Sequence, residues 1–269
     1  MTTVVSIVGA GPGAPDLITV RGARRLASAD VVLYDGLVPR AIVDLALRAT
    51  RRIPVSRRPG SDRVSPAAAA AMMIAAARSG ARVVRLRAGD PFVLARGAEE
   101  SLALVDAGVP IEIVPGLTTA SAAPTLAGIP LTHRGLASGF VVVSGHDAEA
   151  YGPVLGALPP GSATIVVLMG LAERGRIAEL LMSRGWKNRT PAAVIVDASQ
   201  PTQAIERLTL GALGESSRAR PTAAGVIVIG DVVELGVVIA EGASASRPIP
   251  AAAVQAAASS FQESPSWQQ

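Results

Sequence analysis

Apolar positions along the chain fall into short, continuous Val/Ile-rich runs separated by Ala/Leu-rich stretches of helical length. Continuous apolar strands are those buried on both faces, so the pattern predicts parallel α/β layers. Residues 3–8 read as the first strand. Thr19 reads as the cap of a helix to about Ser28, and residues 31–34 as the second strand. A helix over 41–47 and a short extended piece at 53–55 come next. Ser65-Pro66, an N-cap followed by proline at the first helical position, opens a long Ala/Met helix closed by Gly80. A strand at 83–86, a helix at 99–107 and a strand at 111–114 complete the first half.

After Pro115-Gly116 the pattern gives way to small residues punctuated by glycine and proline, which predicts a hinge over 115–137. A second α/β half follows, with strands at 140–144, 164–168, 192–196, 205–208 and 225–229. The expected organisation is therefore an N-terminal domain over 1–114, a C-terminal domain over 138–242, and an Ala/Ser/Pro-rich tail over 243–269. Its composition points to disorder.

Composition narrows the chemistry. The 269 residues include no cysteine and only two histidines, His133 and His146, which excludes a thiolate nucleophile and disfavours a metal centre. Lys187 is the sole lysine among 25 basic residues, so nearly all the cationic charge is guanidinium, suited to bidentate recognition of carboxylates. Aromatics make up 3% of the chain and no basic run exceeds two residues, which argues against a nucleic-acid platform. The N-terminus lacks a charged, signal-length apolar segment, and no apolar stretch reaches the ~20 residues of a membrane span. A soluble cytoplasmic protein is expected.

Four segments carry candidate chemistry. Gly9-Ala10-Gly11-Pro12-Gly13-Ala14 follows a strand and matches a dinucleotide fingerprint, with Asp35 near the position of a ribose-binding acid. Pro12, Pro15 and Asp16 delay the next helix to about Thr19, however, so no helix N-terminus meets a pyrophosphate. The glycine turn is expected to admit something other than pyrophosphate. Val84-Arg85-Leu86-Arg87-Ala88-Gly89-Asp90-Pro91 runs a strand into a tight turn. Asp90 there is either a ligand-facing carboxylate or an Asx-turn residue. Arg96-Gly97-Ala98-Glu99-Glu100 enters a helix, whose dipole accounts for the two acids. His133, His146 and Arg134 lie on later loops, each histidine being either a base or a hydrogen-bonded structural group.

Taken in order, V-G-A-G-P-G, V-V-L-Y-D-G-L-V, V-V-R-L-R-A-G-D-P-F-V, V-P-G-L-T-T-A and G-I-P-L-T-H-R-G make the chain resemble the tetrapyrrole methylase family, from Val4 to about Leu235. The resemblance implies a two-domain α/β fold with a ligand cleft between the domains, and a homodimer of the stand-alone form. The implied co-substrate is S-adenosylmethionine, leaving as S-adenosylhomocysteine. The implied reaction is two successive C-methylations of uroporphyrinogen III to precorrin-2, for sirohaem and cobalamin synthesis. Donor contacts then fall on Pro12, Ala88, Gly89, Asp90, Val93, Thr118, Thr119, Met169 and Ala198. Asp35 corresponds to a proton acceptor, and Arg96, Glu99, Arg134 and His146 to positions facing an anionic tetrapyrrole. No metal, nucleic acid or membrane enters.

Three departures from the family pattern bear on the acceptor. Arg57 stands where the family has a lysine assigned as proton donor, and a guanidinium supplies charge there but hardly a proton. Gly36 replaces an arginine and Ala88 a glycine. Alternatives left open are a different methyl acceptor on the same fold, and a non-catalytic dimer that binds the donor or a porphyrin.

Overall fold

The computed structural model describes residues 2–56, 64–218 and 224–242; the expected disordered tail lies outside them. The chain forms two compact units, one ending at Thr118 and the next beginning at Thr119. Each unit is built on its own five-stranded sheet.

In the first unit β1 (Val5–Gly9), β2 (Val31–Asp35), β3 (Arg51–Ser56), β4 (Val83–Arg87) and β5 (Ile111–Val114) form a wholly parallel sheet of order β3-β2-β4-β1-β5. Every residue of β1 is buried, as the central strand of a doubly covered sheet requires. Helices α1 (Val20–Ala27) and α2 (Arg40–Val43) bring Leu26 and Ile42 onto the face of Val8, Val32 and Leu86. On the other face α3 (Pro66–Arg78) and α4 (Gly97–Asp106) set Met73 and Leu104 against Ile7, Leu33 and Val83. Thr19 caps α1 by accepting from the Gly22 N–H, and Ser65 caps α3 by accepting from that of Ala68. The helix expected over 41–47 is only four residues long: beyond Asp44 the backbone closes in i→i+3 bonds, Leu45 to Ile42 and Ala46 to Val43.

The second unit contains α5 (Thr119–Leu126), β6 (Phe140–Ser144), α6 (Ala148–Ala157), β7 (Thr164–Leu168), α7 (Arg174–Ser183), β8 (Pro191–Val196), β9 (Ala204–Thr209), β10 (Gly225–Ile229) and α8 (Val232–Gly242). Part of the stretch with hinge-like composition is thus the helix α5, whose Ala120 and Ala123 pack with Val166, Val228 and Val232. Small residues here permit close helix–sheet approach. The sheet order is β6-β7-β10-β8-β9, and it is mixed, which corrects the expectation of parallel layers throughout. Only β6 and β7 pair in parallel; β10 is antiparallel to β7 and β8, and β9 to β8. Between β8 and β9 the reason is connection length. Residues 197–203 join β8 to β9, too few for the crossover of a dozen or more that parallel neighbours need. Because β10 opposes both neighbours, β6, β7 and β8 run the same way and end on one edge.

The start of β2 is tied to the start of β4 by Asp30, which accepts from the backbone N–H of Arg82 at 2.8 Å and from its guanidinium at 2.8 and 3.0 Å. These bonds lower the Asp30 carboxyl from 3.8 to about 2. The ionised form is favoured in the fold, so the contribution is complete above about pH 4 and lost as pH falls through about 2. Urea denaturation across that window is expected to show a shallower acid loss of stability in Asp30→Asn than in the parent. Equal slopes contradict the assignment.

Candidate active site at the strand ends

The C-terminal ends of β1, β4 and β5 converge through backbone alone. A Cβ on Gly9 would lie 2.5 Å from the Gly116 nitrogen and 2.7 Å from the Gly89 oxygen, and one on Gly116 only 2.3 Å from that oxygen. Gly11 and Gly89 exchange two backbone hydrogen bonds, at 3.1 and 3.0 Å. The glycines of the first turn therefore admit neighbouring strand ends. Helix α1 begins at Val20, after Pro12 and Pro15, so it presents no N-terminus to that turn.

Asp90 completes this closure. Its Oδ1 accepts from the Phe92 N–H at 2.8 Å, an Asx turn, and its Oδ2 accepts from the Gly116 N–H at 3.1 Å. The carboxylate thus shapes the 88–93 turn, on which Ala88 and Val93 remain half-buried.

Behind the turn lies a charge network that the sequence pattern does not reveal. Arg85 and Arg87 occupy one face of β4, the face covered by α3 and α4. Arg85, 2% exposed, donates from Nη2 to Asp35 Oδ1 at 2.6 Å and to Glu100 Oε1 at 3.0 Å. Its Nε reaches both Glu100 oxygens at 3.0 and 3.1 Å. Arg87 Nη1 reaches the same Asp35 oxygen at 3.3 Å and Glu100 Oε1 at 3.1 Å, while its Nη2 donates to the Ala95 carbonyl. Burial is the largest influence on the Arg87 guanidinium and lowers its pKa below the usual arginine value. Glu100, 5% exposed, is thus an interior ion-pair partner, which corrects its reading as a dipole-facing acid. The one local signal is the pair of arginines at i and i+2 in an otherwise apolar strand.

The loop after the turn is strained. Leu94 and Arg96 adopt left-handed φ of 53° and 58°, rare for residues with side chains. Arg96 donates to Glu99 at 2.8 Å and both are exposed. The pairing raises the Arg96 pKa and lowers that of Glu99. In the second unit the same edge pattern recurs. Gly145, after β6, and Gly170, after β7, touch so closely that a Cβ on Gly145 would sit 2.4 Å from the Gly170 Cα. Exposed His146 and Met169 flank them, and Met169 has φ 59°. Ala198 lies between Asp197 and Ser199, at φ 50° and 66°. Thr118 and Thr119 are half-buried where the first unit gives way to the second. His133 and Arg134 are exposed on a tight turn closed by paired bonds between His133 and Ala137.

In the first unit the structure thus gathers Asp35, the Ala88–Asp90 turn, Val93, Arg96 and Glu99 at the C-terminal ends of β2 and β4. In the second it sets His146, Met169 and Ala198 at the ends of β6, β7 and β8. Arg57 lies outside the described residues. Among those described, no group of three or more acidic or histidine side chains is arranged to hold a metal ion.

Strand-end turns closed by glycine contacts, with left-handed residues beside them, place the chain among open-sheet α/β proteins, a class that holds ligands at such ends. The chain belongs to the tetrapyrrole (corrin/porphyrin) methylase family, whose pattern matches residues 4–214. It is 40% identical over 240 residues to the uroporphyrinogen-III C-methyltransferase of Methanocaldococcus jannaschii, covering 87% of this chain and 98% of that one. It is 41% identical to siroheme synthase 1 of Yersinia enterocolitica, of which it spans about half, 49%. The uroporphyrin-III C-methyl transferase of Thermus thermophilus, solved with S-adenyl homocysteine, superposes with TM-score 0.73 at 36% identity, over 87% of this chain and all of that one.

The backbone closure makes a directional prediction. Gly116→Ala has to displace main chain and is expected to lose about 1–3 kcal/mol of stability. Gly152→Ala, in α6 with open space around it, is expected to be neutral or to gain up to about 1 kcal/mol. Denaturant midpoints of the two variants check the pair, and equal shifts contradict it.

Proposed function

We propose that the chain is an S-adenosylmethionine-dependent C-methyltransferase that converts uroporphyrinogen III to precorrin-2 by two successive methylations. The observation carrying this reading is the near end-to-end match to the M. jannaschii uroporphyrinogen-III C-methyltransferase, 98% of that protein's length. The residues present suit the donor. Ala88 and Gly89 offer small side chains and main chain, and Met169, 52% exposed, offers a soft apolar surface. Pro12, Asp90, Val93, Thr118, Thr119 and Ala198 complete the assigned donor contacts.

The donor supplies an electrophilic sulfonium methyl. Each transfer forms one carbon–carbon bond, leaves the electron pair of the broken sulfur–carbon bond on sulfur, and releases one proton from the methylated macrocycle. Asp35 is the group assigned to accept that proton. Attack by an electron-rich pyrrole carbon needs little acid–base assistance, so most of the acceleration is assigned to orientation. Arg96 and Arg134 present guanidinium forks to the carboxylates of the substrate, with Glu99 orienting Arg96 and His146 facing the ring. Arg57 is assigned to supply positive charge.

The same reading makes the protein a cytoplasmic homodimer serving sirohaem and cobalamin synthesis. No helix among the described residues is long and apolar enough to cross a membrane.

Incubation with S-adenosylmethionine and anaerobic uroporphyrinogen III is expected to give a dimethylated tetrapyrrole by mass spectrometry. Asp35→Asn is expected to lower turnover by about 100-fold or more while leaving donor affinity near that of the parent. A folded, donor-binding protein that forms no methylated tetrapyrrole overturns the reading.

A further inference from the structure

The ion network behind the turn has a composition and connectivity that the methyl-transfer reading does not use. Its two guanidiniums, Arg85 and Arg87, are balanced by two carboxylates, Asp35 and Glu100, and all four are buried or nearly so. Three features separate it from a generic interior salt bridge. Both arginines meet the same oxygen of Asp35, Oδ1, at 2.6 and 3.3 Å, which fixes the rotation of that carboxylate. Glu100 accepts from both guanidiniums as well, so neither arginine can turn without losing a second partner. Finally, Arg87 extends past the carboxylates to the carbonyl of Ala95, between the left-handed residues Leu94 and Arg96. One side chain thus ties the end of β2 to the strained loop that carries Arg96 and Glu99.

We propose that Arg85, Arg87 and Glu100 are positioning residues: the network sets the Asp35 carboxylate for proton acceptance and, through Arg87 alone, holds the 94–96 loop in the conformation that receives the tetrapyrrole. The proposal rests on the functional reading above and adds a division of labour to it. Arg85 and Glu100 lie deepest and set the carboxylate. Arg87, at the rim of the network, couples the carboxylate to the substrate loop. The donor turn is held separately, by Asp90 and the glycine contacts, and the Arg87 side chain takes no part in those bonds.

That separation makes the test specific. Removing Arg85 or Glu100 strands a buried charge and threatens folding, so the informative variants are at Arg87, which is 11% exposed. Arg87→Gln removes the charge, and Arg87→Lys keeps one without the second nitrogen that reaches Ala95. With thermal denaturation confirming folded protein, Arg87→Gln is expected to lower kcat by about 10- to 100-fold and to raise KM for uroporphyrinogen III. Calorimetric affinity for S-adenosylhomocysteine is expected to stay within about twofold of the parent. Arg87→Lys is expected to recover most of kcat while KM stays elevated, a split that a merely structural role does not produce. Parent protein that turns over, with Arg87→Gln unchanged in kcat and KM, overturns the positioning proposal and leaves the functional reading intact. Parallel loss of donor affinity and turnover in both variants also overturns it, in favour of general destabilisation. A parent protein without turnover overturns the functional reading and this proposal with it.

Discussion

Two arginines inside a parallel sheet are the constraint around which the first unit is arranged. Burying a guanidinium is tolerable only when its charge and its donors are met. Arg85 has no water to turn to, and it finds Asp35 and Glu100. That requirement reaches outward. It fixes which face of β4 looks toward α4, places the first turn of α4 against the strand, and holds the end of β2 beside the end of β4. An all-apolar sheet would pack as well, but its strand ends would carry no aligned carboxylate. The interior charges are the route by which the fold delivers one chemical group to its edge.

The strand-end turns answer a second constraint, that main chain must approach main chain. Gly9, Gly89 and Gly116 close the first unit's edge, and Gly145 and Gly170 do the same in the second. In both units left-handed residues lie on the loops after the strands: Leu94 and Arg96 in one, Met169, Asp197 and Ser199 in the other. The sheets differ in topology, one parallel and one mixed, yet each places its left-handed residues beyond the ends of co-directional strands. Such positions are where open α/β sheets hold ligands.

Much of this architecture is legible in the amino-acid sequence. Val/Ile runs mark each described strand to within two or three residues, because continuous apolar segments of that length have few other fates. Thr19 and Ser65-Pro66 mark helix starts by a local mechanism, a side-chain oxygen accepting from a backbone N–H three residues on. The spacing of Pro12 and Pro15 is enough to delay the helix to Val20. Strand direction in the second sheet is less visible, since it follows from how short the link between β8 and β9 is. The role of Glu100 is hidden because its partners, Arg85 and Arg87, are 15 and 13 residues away, and pairing at that range has no local signature. Asp90 admits two roles on local grounds. Its bond to Gly116, 26 residues on, depends on the closure of three strands.

The central claim is that the proposed methyl donor is held at the 88–93 turn of the first unit's strand-end edge, with the charge network held apart from it. Backbone amide hydrogen exchange with and without S-adenosylhomocysteine tests this most directly. Slowed exchange is expected at 88–93, with residues 31–35 of β2 little changed. Unchanged exchange at 88–93, or protection found instead along residues 13–19, would contradict it.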